Sequence, residues 1–110
     1  MIGLNANRSI SGASSLPEHR EEALVKMCEH AEYLAAKVGA EHVGYGFDLC
    51  NGLNYARTPD VTVSELGDLL DSHSDMPKLT AKLLERGMAE EAVIGIIGGN
   101  FLEFFRRVLT

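Results

Sequence analysis

His42-Val43-Gly44-Tyr45-Gly46-Phe47-Asp48-Leu49-Cys50-Asn51-Gly52 reads as a short buried strand, His42 to Phe47, that ends in a carboxylate and opens into a glycine-bounded loop. α/β enzymes place catalytic groups at the C-terminal ends of strands, and small residues before such a group allow close approach. Asp48 is therefore the candidate acid. One carboxylate does not make a hydrolase, so the surroundings of this strand decide what it is.

Upstream, Ile2 to Asn5 resembles the end of another strand, and Asn7 to Ser15 has the Ser, Gly and Asn content of a loop. Ser15 and Glu18 have capping-box spacing, and Pro17 suits a first helical turn. Leu24, Met27, Cys28, Ala31, Leu34, Ala35 and Val38 then recur at three- and four-residue steps. That spacing predicts one apolar face of a helix over about Pro17 to Val38, with Gly39 as its stop. Strand, helix, strand in this order makes a βαβ unit with parallel strands and a right-handed crossover.

Downstream the loop runs through Asn54 and Pro59, and the rest reads as wholly helical. Ser64 can cap a short helix bearing Leu66, Leu69 and Leu70. Asp75 and Pro77 start another, with Leu79, Leu83 and Leu84 inward and Gly87 at its end. Ala89 to Ile97 forms a third, interrupted by Gly98-Gly99, and Asn100 can cap a last helix carrying Phe101, Leu102, Phe104, Phe105, Val108 and Leu109. The chain thus divides into a strand-helix-strand unit, residues 1–52, and a helical segment, residues 53–110, within one partial domain.

The 110 residues suit one domain, and 45% hydrophobic content supports a core. A net charge of −6 argues against nucleic acid or an anionic membrane surface as a partner, since both select basic surfaces. No apolar run approaches the roughly 20 residues needed to span a bilayer. The N-terminus lacks the pattern of a signal peptide. With no secretion signal, Cys28 and Cys50 are expected as reduced thiols in a cytoplasmic protein. Two parallel strands alone leave sheet edges and helix faces uncovered, so the chain reads as a piece of a larger fold or one partner of an assembly.

The opening stretch and the C-terminus together resemble the membrane dipeptidase (renal dipeptidase) family of metallopeptidases. In that family a strand of the form His-Val-Gly-Ile-Gly-Ser-Asp-Phe-Asp-Gly closes a metal-dependent (β/α)8 barrel. The family ends with Leu-Thr-x-x-Leu-Leu-x-x-Gly-x-x-x-Glu followed by Ile-x-Gly-Gly-Asn. This chain has Leu79-Thr80, Leu83-Leu84, Gly87, Glu91, Ile97 and Gly98-Gly99-Asn100 in the same order. The resemblance covers essentially the whole chain and implies an α/β fold, the C-terminal fragment of such a barrel. Ile2 to Asn5 would be its penultimate strand and His42 to Phe47 its last.

The resemblance further implies that a full-length parent hydrolyses dipeptides with water activated at a binuclear zinc centre. Its metal ligands, a His-x-Asp pair, a bridging Glu and two further His, lie on earlier strands. Only Asp48 transfers, matching the acid that handles protons beside the metal-bridging water. Phe47 stands where Ser is usual, and Leu49-Cys50-Asn51 replaces Phe-Asp-Gly, so the motif's second acid is missing. A complete barrel needs about 250 residues, so about two of its eight units fit here.

Other candidates read blandly. His42 would lie about 16 Å from Asp48 at the far end of the strand and is expected to be structural. His19, His30 and His73 have no partner at a ligand spacing and are expected at surfaces or helix ends. Cys50 has no neighbour in sequence to activate it, and Cys28 belongs to the core. Gly98-Gly99-Asn100 fits close helix contact better than phosphate binding, having no preceding strand or Lys. The isolated chain is accordingly expected to be inactive and to hold no metal or cofactor of its own. The alternative is a non-catalytic interaction module that self-associates into a homo-oligomer or docks onto a chain carrying the missing strands, covering the Phe101, Phe104 and Phe105 face.

Overall fold

The computed structural model describes residues 1–51, 53, 57, 60 and 67–109. Two strands, β1 (Ile2–Leu4) and β2 (Val43–Tyr45), pair in parallel with Ile2 opposite Val43, Gly3 opposite Gly44 and Leu4 opposite Tyr45. Pairing continues past the strands: Gly46 N–H donates to the Leu4 carbonyl at 3.1 Å and Ala6 N–H to the Phe47 carbonyl at 3.0 Å. A short helix, α1 (Arg8–Ser11), is capped by the Asn7 side chain. The long helix α2 (Arg20–Val38) connects the strands, entered through a 3₁₀ turn at Pro17–His19. It buries Ala23, Leu24, Met27, Cys28 and Ala31, so the expected apolar face holds over its first three turns, while Leu34 and Ala35 are half-buried and Val38 is exposed. Gly39, at φ 96°, ends it in a conformation that favours glycine.

The expected Ser15–Glu18 capping box is not formed. Ser14 takes that work, its hydroxyl accepting the Leu16 N–H at 3.2 Å and meeting His19 Nδ1 at 2.8 Å, while the Ser15 side chain is buried. His42 belongs to a 3₁₀ turn, Ala40–His42, so β2 begins one residue later than the pattern suggested.

Asn51, Leu53 and Arg57 are helical where a loop was expected, and among residues 67–109 helical structure begins at His73, after Ser72. The expected helix start at Ser64 and Leu66, and the loop residues Gly52, Asn54 and Pro59, lie outside the described residues. Leu69 and Leu70 are fully buried, but their stretch is a run of bends around a single bridge at Asp68 rather than a helix. It lies antiparallel to the chain beyond β1: Arg8 N–H donates to the Gly67 carbonyl at 2.8 Å and Leu69 N–H to the Ala6 carbonyl at 2.7 Å, with an Asn7–Asp68 bridge between them. Ser72, not Asp75, then caps the next turn, in a capping box whose returning carboxylate is Asp75. Helix α3 (Met76–Glu85) buries Leu79 and Leu83 and ends at Gly87, φ 95°. It is tied to α2 by a bidentate Arg86–Glu32 pair, 2.7 and 2.9 Å, and by Lys82 on Glu21.

Helix α4 (Glu90–Ile94) runs into a wide π turn, Gly95–Gly99, that kinks at Gly98 and leads into α5 (Asn100–Val108). Asn100 does not cap α5, contrary to expectation. Its side-chain amide donates to the Ala40 and Val43 carbonyls, 2.7 and 2.8 Å, and so fastens this turn to the start of β2. The Phe101 ring consequently lies across the glycines of the sheet. A Cβ added at Gly44 would stand 2.5 Å from Phe101 Cδ2 and Cε2. Gly44→Ala is expected to cost about 1–3 kcal/mol by overpacking, read as a shift in urea midpoint. Phe101→Ala in the same background should recover part of that loss, and an unshifted Gly44→Ala would contradict the Phe101 placement.

The opposite face of the sheet holds the core. Leu4, Ala6, Val43 and Phe47 are buried there with the α2 and α3 side chains, and Tyr45 donates its hydroxyl to the Met27 carbonyl at 3.4 Å. The described fold is therefore mixed α/β with two parallel strands, as the sequence led one to expect.

Candidate functional site

Parallel pairing makes the two strands exit at the same end, which brings Asn5 and Asp48 together. Asn5 Nδ2 donates to Asp48 Oδ2 at 3.3 Å, and the Asp48 side chain is exposed. Asp48 has φ 54°, the one described non-glycine residue with positive φ. Asp tolerates this left-handed conformation better than most residues, and such outliers concentrate at functional positions. The turn that follows folds back on it. The Cys50 thiol lies 3.2 Å from the Asp48 carbonyl and 3.7 Å from Oδ1, as a donor to both.

A second carboxylate fixes that turn from the other side. Asp68, 1% exposed, accepts the Cys50 and Asn51 N–H groups on its Oδ2, each at 2.8 Å. Asn51 Oδ1 in return accepts the Asp68 N–H at 3.2 Å. Asn5 and Asp68 were both missed by sequence reasoning. Asn5 had a usable signal, since it follows β1 directly, at the same end of the sheet at which Asp48 follows β2. Asp68 had none: nothing local marks an acid beside two leucines as a partner for a loop about twenty residues earlier.

Chemically, Asp48 is a solvent-reached carboxylate steadied by one amide donor and one thiol. It is suited to accepting and returning a proton. Cys50 is not suited to nucleophilic attack, because burial, and then the negative charges of Asp48 and Asp68, push its thiol pKa up. Cys28 is fully buried, and burial pushes it to about 11. The folded chain therefore keeps the Cys28 proton above the pH at which an unfolded thiol releases it, so this contribution to stability is full below about pH 9 and is lost as pH rises toward 11. With iodoacetamide at pH 8 we expect slow labelling of Cys50 alone, faster in Asp48→Asn, and labelling of Cys28 only on unfolding. Equal rates at both thiols, read by mass spectrometry, would contradict this.

The histidines do not join the site as ligands. His42 is exposed, 3.6 Å from Glu41, and His19 bonds Ser14. His73 is exposed with its ring 5.8 Å from that of Phe47. Among the described residues no group of three or more His, Cys, Asp or Glu side chains is placed to hold a metal ion. The described residues thus do not fit a binuclear zinc centre. No helix among the described residues is long and apolar enough to cross a membrane.

Compared with known proteins, residues 1–110 match the family described as membrane dipeptidase (peptidase family M19). A dipeptidase of Clonostachys rogersoniana, Dipeptidase verJ, is 33% identical over 79 residues, 72% of this chain and 18% of that protein. Dipeptidase ataJ of Aspergillus terreus is 34% identical over 83 residues, 76% of this chain and 18% of its own length. Dipeptidase aclJ of Aspergillus oryzae is 28% identical over 105 residues, covering 90% and 22% respectively. The chain therefore spans about a fifth of the length of these curated relatives. No solved structure matches it.

Proposed function

Because the chain belongs to the membrane dipeptidase family, we propose that it supplies the last two strands and the C-terminal helices of a (β/α)8 dipeptidase barrel, with Asp48 as the group that moves a proton during dipeptide hydrolysis. The observation that carries this is Asp48 itself, an exposed carboxylate at a strand's C-terminal end, in the left-handed region and held by Asn5. Barrel enzymes gather their catalytic groups from the C-terminal ends of several strands. The zinc implied by the family finds no ligand set among the described residues, so only orientation and proton transfer are assigned to them. Asn5 orients the carboxylate through one oxygen, which leaves Oδ1 for the thiol of Cys50 or a water. The free thiols of Cys28 and Cys50 fit a cytoplasmic setting.

A complete barrel carrying this segment is expected to hydrolyse dipeptides in a zinc-dependent manner, while the 110 residues alone are not. Dipeptide cleavage followed by amino-acid release, with and without chelator, tests this. A complete barrel that cleaves no dipeptide under any metal condition would overturn it.

A second reading is a non-catalytic module that self-associates or docks onto a chain with the missing strands. It is favoured by the exposure of Leu102, Phe105, Val108 and Leu109 on and after α5. Light scattering across concentrations distinguishes the two, and a cooperative monomer would count against association.

A further inference from the structure

We infer that Asp68 is the positioning residue for Asp48, its buried carboxylate gripping the Cys50 and Asn51 amides so that the strand end keeps the conformation in which Asn5 meets the Asp48 carboxylate. This rests on the proposed role of Asp48. A positive φ costs free energy for an L-residue, so φ 54° at Asp48 persists only if its surroundings impose it. Asp48 is exposed, and its own contacts are a 3.3 Å amide and a weak thiol donor, too little to impose it. The constraint lies two and three residues on. Successive backbone N–H groups in a turn form a concave anion site, and here the anion is built in. Both amides converge on one oxygen, Asp68 Oδ2, at 2.8 Å, and charge-assisted bonds of this kind are about twice as strong as neutral ones.

The grip is also registered to the rest of the site. Asp68 and Asn51 are 1% and 3% exposed, so water competes little for these bonds. The backbone around Asp68 is fixed to residues 6–8 by the two hydrogen bonds that make its bridge to Asn7, and Asn7 N–H donates to Asn5 Oδ1 at 2.8 Å. One frame thereby sets both the donor that orients the Asp48 carboxylate and the clamp that fixes its backbone.

NMR on the 110-residue chain tests this through the strong intraresidue HN–Hα cross-peak of a positive φ at Asp48, and through amide exchange. In the wild type, Cys50 and Asn51 are expected to exchange slower than Leu49 by about tenfold or more. Asp68→Ala should abolish both the slowing and the Asp48 signature while the α2 signals persist, and Asp68→Asn, which keeps an acceptor, should largely restore them. An Asp48 signature that survives in folded Asp68→Ala would overturn the inference, since a purely structural role lowers only the unfolding midpoint. If Asp68→Ala does not fold, the wild-type exchange decides alone, and unprotected Cys50 and Asn51 amides would overturn it. Failure of the Asp48 role itself would show separately, as undiminished turnover of Asp48→Asn in a complete barrel.

Discussion

Asp48→Asn in a complete barrel carrying this segment is expected to lower kcat by about 10²- to 10⁴-fold, the usual worth of a positioned acid or base. The substitution preserves shape, and Asn adopts the left-handed conformation as readily as Asp, so φ 54° survives it. What is lost is the proton-carrying oxygen. Asp48 is exposed and outside the core, so the unfolding midpoint should stay within the range of ordinary surface changes. KM should move little, because removing an interaction made only in the transition state lowers kcat and kcat/KM together. Steady-state kinetics beside a thermal melt make the comparison. A loss below about tenfold in a folded variant would return Asp48 to the role of a strand-end turn former.

Leu83→Ala should lower stability by about 2–5 kcal/mol, the range for truncating a buried leucine with a cavity left behind. Leu83 is fully buried among the α2 and α3 side chains, whereas its neighbour Leu84 is 44% exposed. The sequence pattern placed both inward. The structure rotates Leu84 out because Leu79 and Leu83 alone complete the apolar row of α3, at four-residue spacing. Leu84→Ala should therefore cost under about 1 kcal/mol, as an exposed position does. Urea unfolding of the two variants reads the difference directly, and equal losses would mean that α3 is rotated relative to this account.

Those two leucines illustrate what was legible. Where a local period governs burial, as from Leu24 to Ala31 of α2, the sequence revealed element and face together, but not where the buried face stops: Val38 had the spacing and is 42% exposed. The parallel strands followed from the order strand, helix, strand, and the carboxylate at their end from the glycine-rich approach to it. Contacts between distant segments carry no such period. Leu66, Leu69 and Leu70 have helical spacing, yet Leu69 bonds Ala6 across a bridge that only the folded chain brings together. Asn100 looked like a cap because Asn caps helices, but its amide reaches β2, 57 residues away. Asp68 was invisible for the same reason: its partners are backbone N–H groups, which every residue has. Half the candidate site was thus readable as a strand end, and the half that steadies it was not.

The most direct test is dipeptide hydrolysis by the purified 110-residue chain with added zinc, run beside Asp48→Asn. The described residues assemble no metal-binding group, and Asp48 is proposed as one proton-handling corner of a larger site. No zinc-dependent hydrolysis is expected from either protein. Turnover by the isolated chain that disappears in Asp48→Asn would contradict this, because the segment would then hold a whole active site.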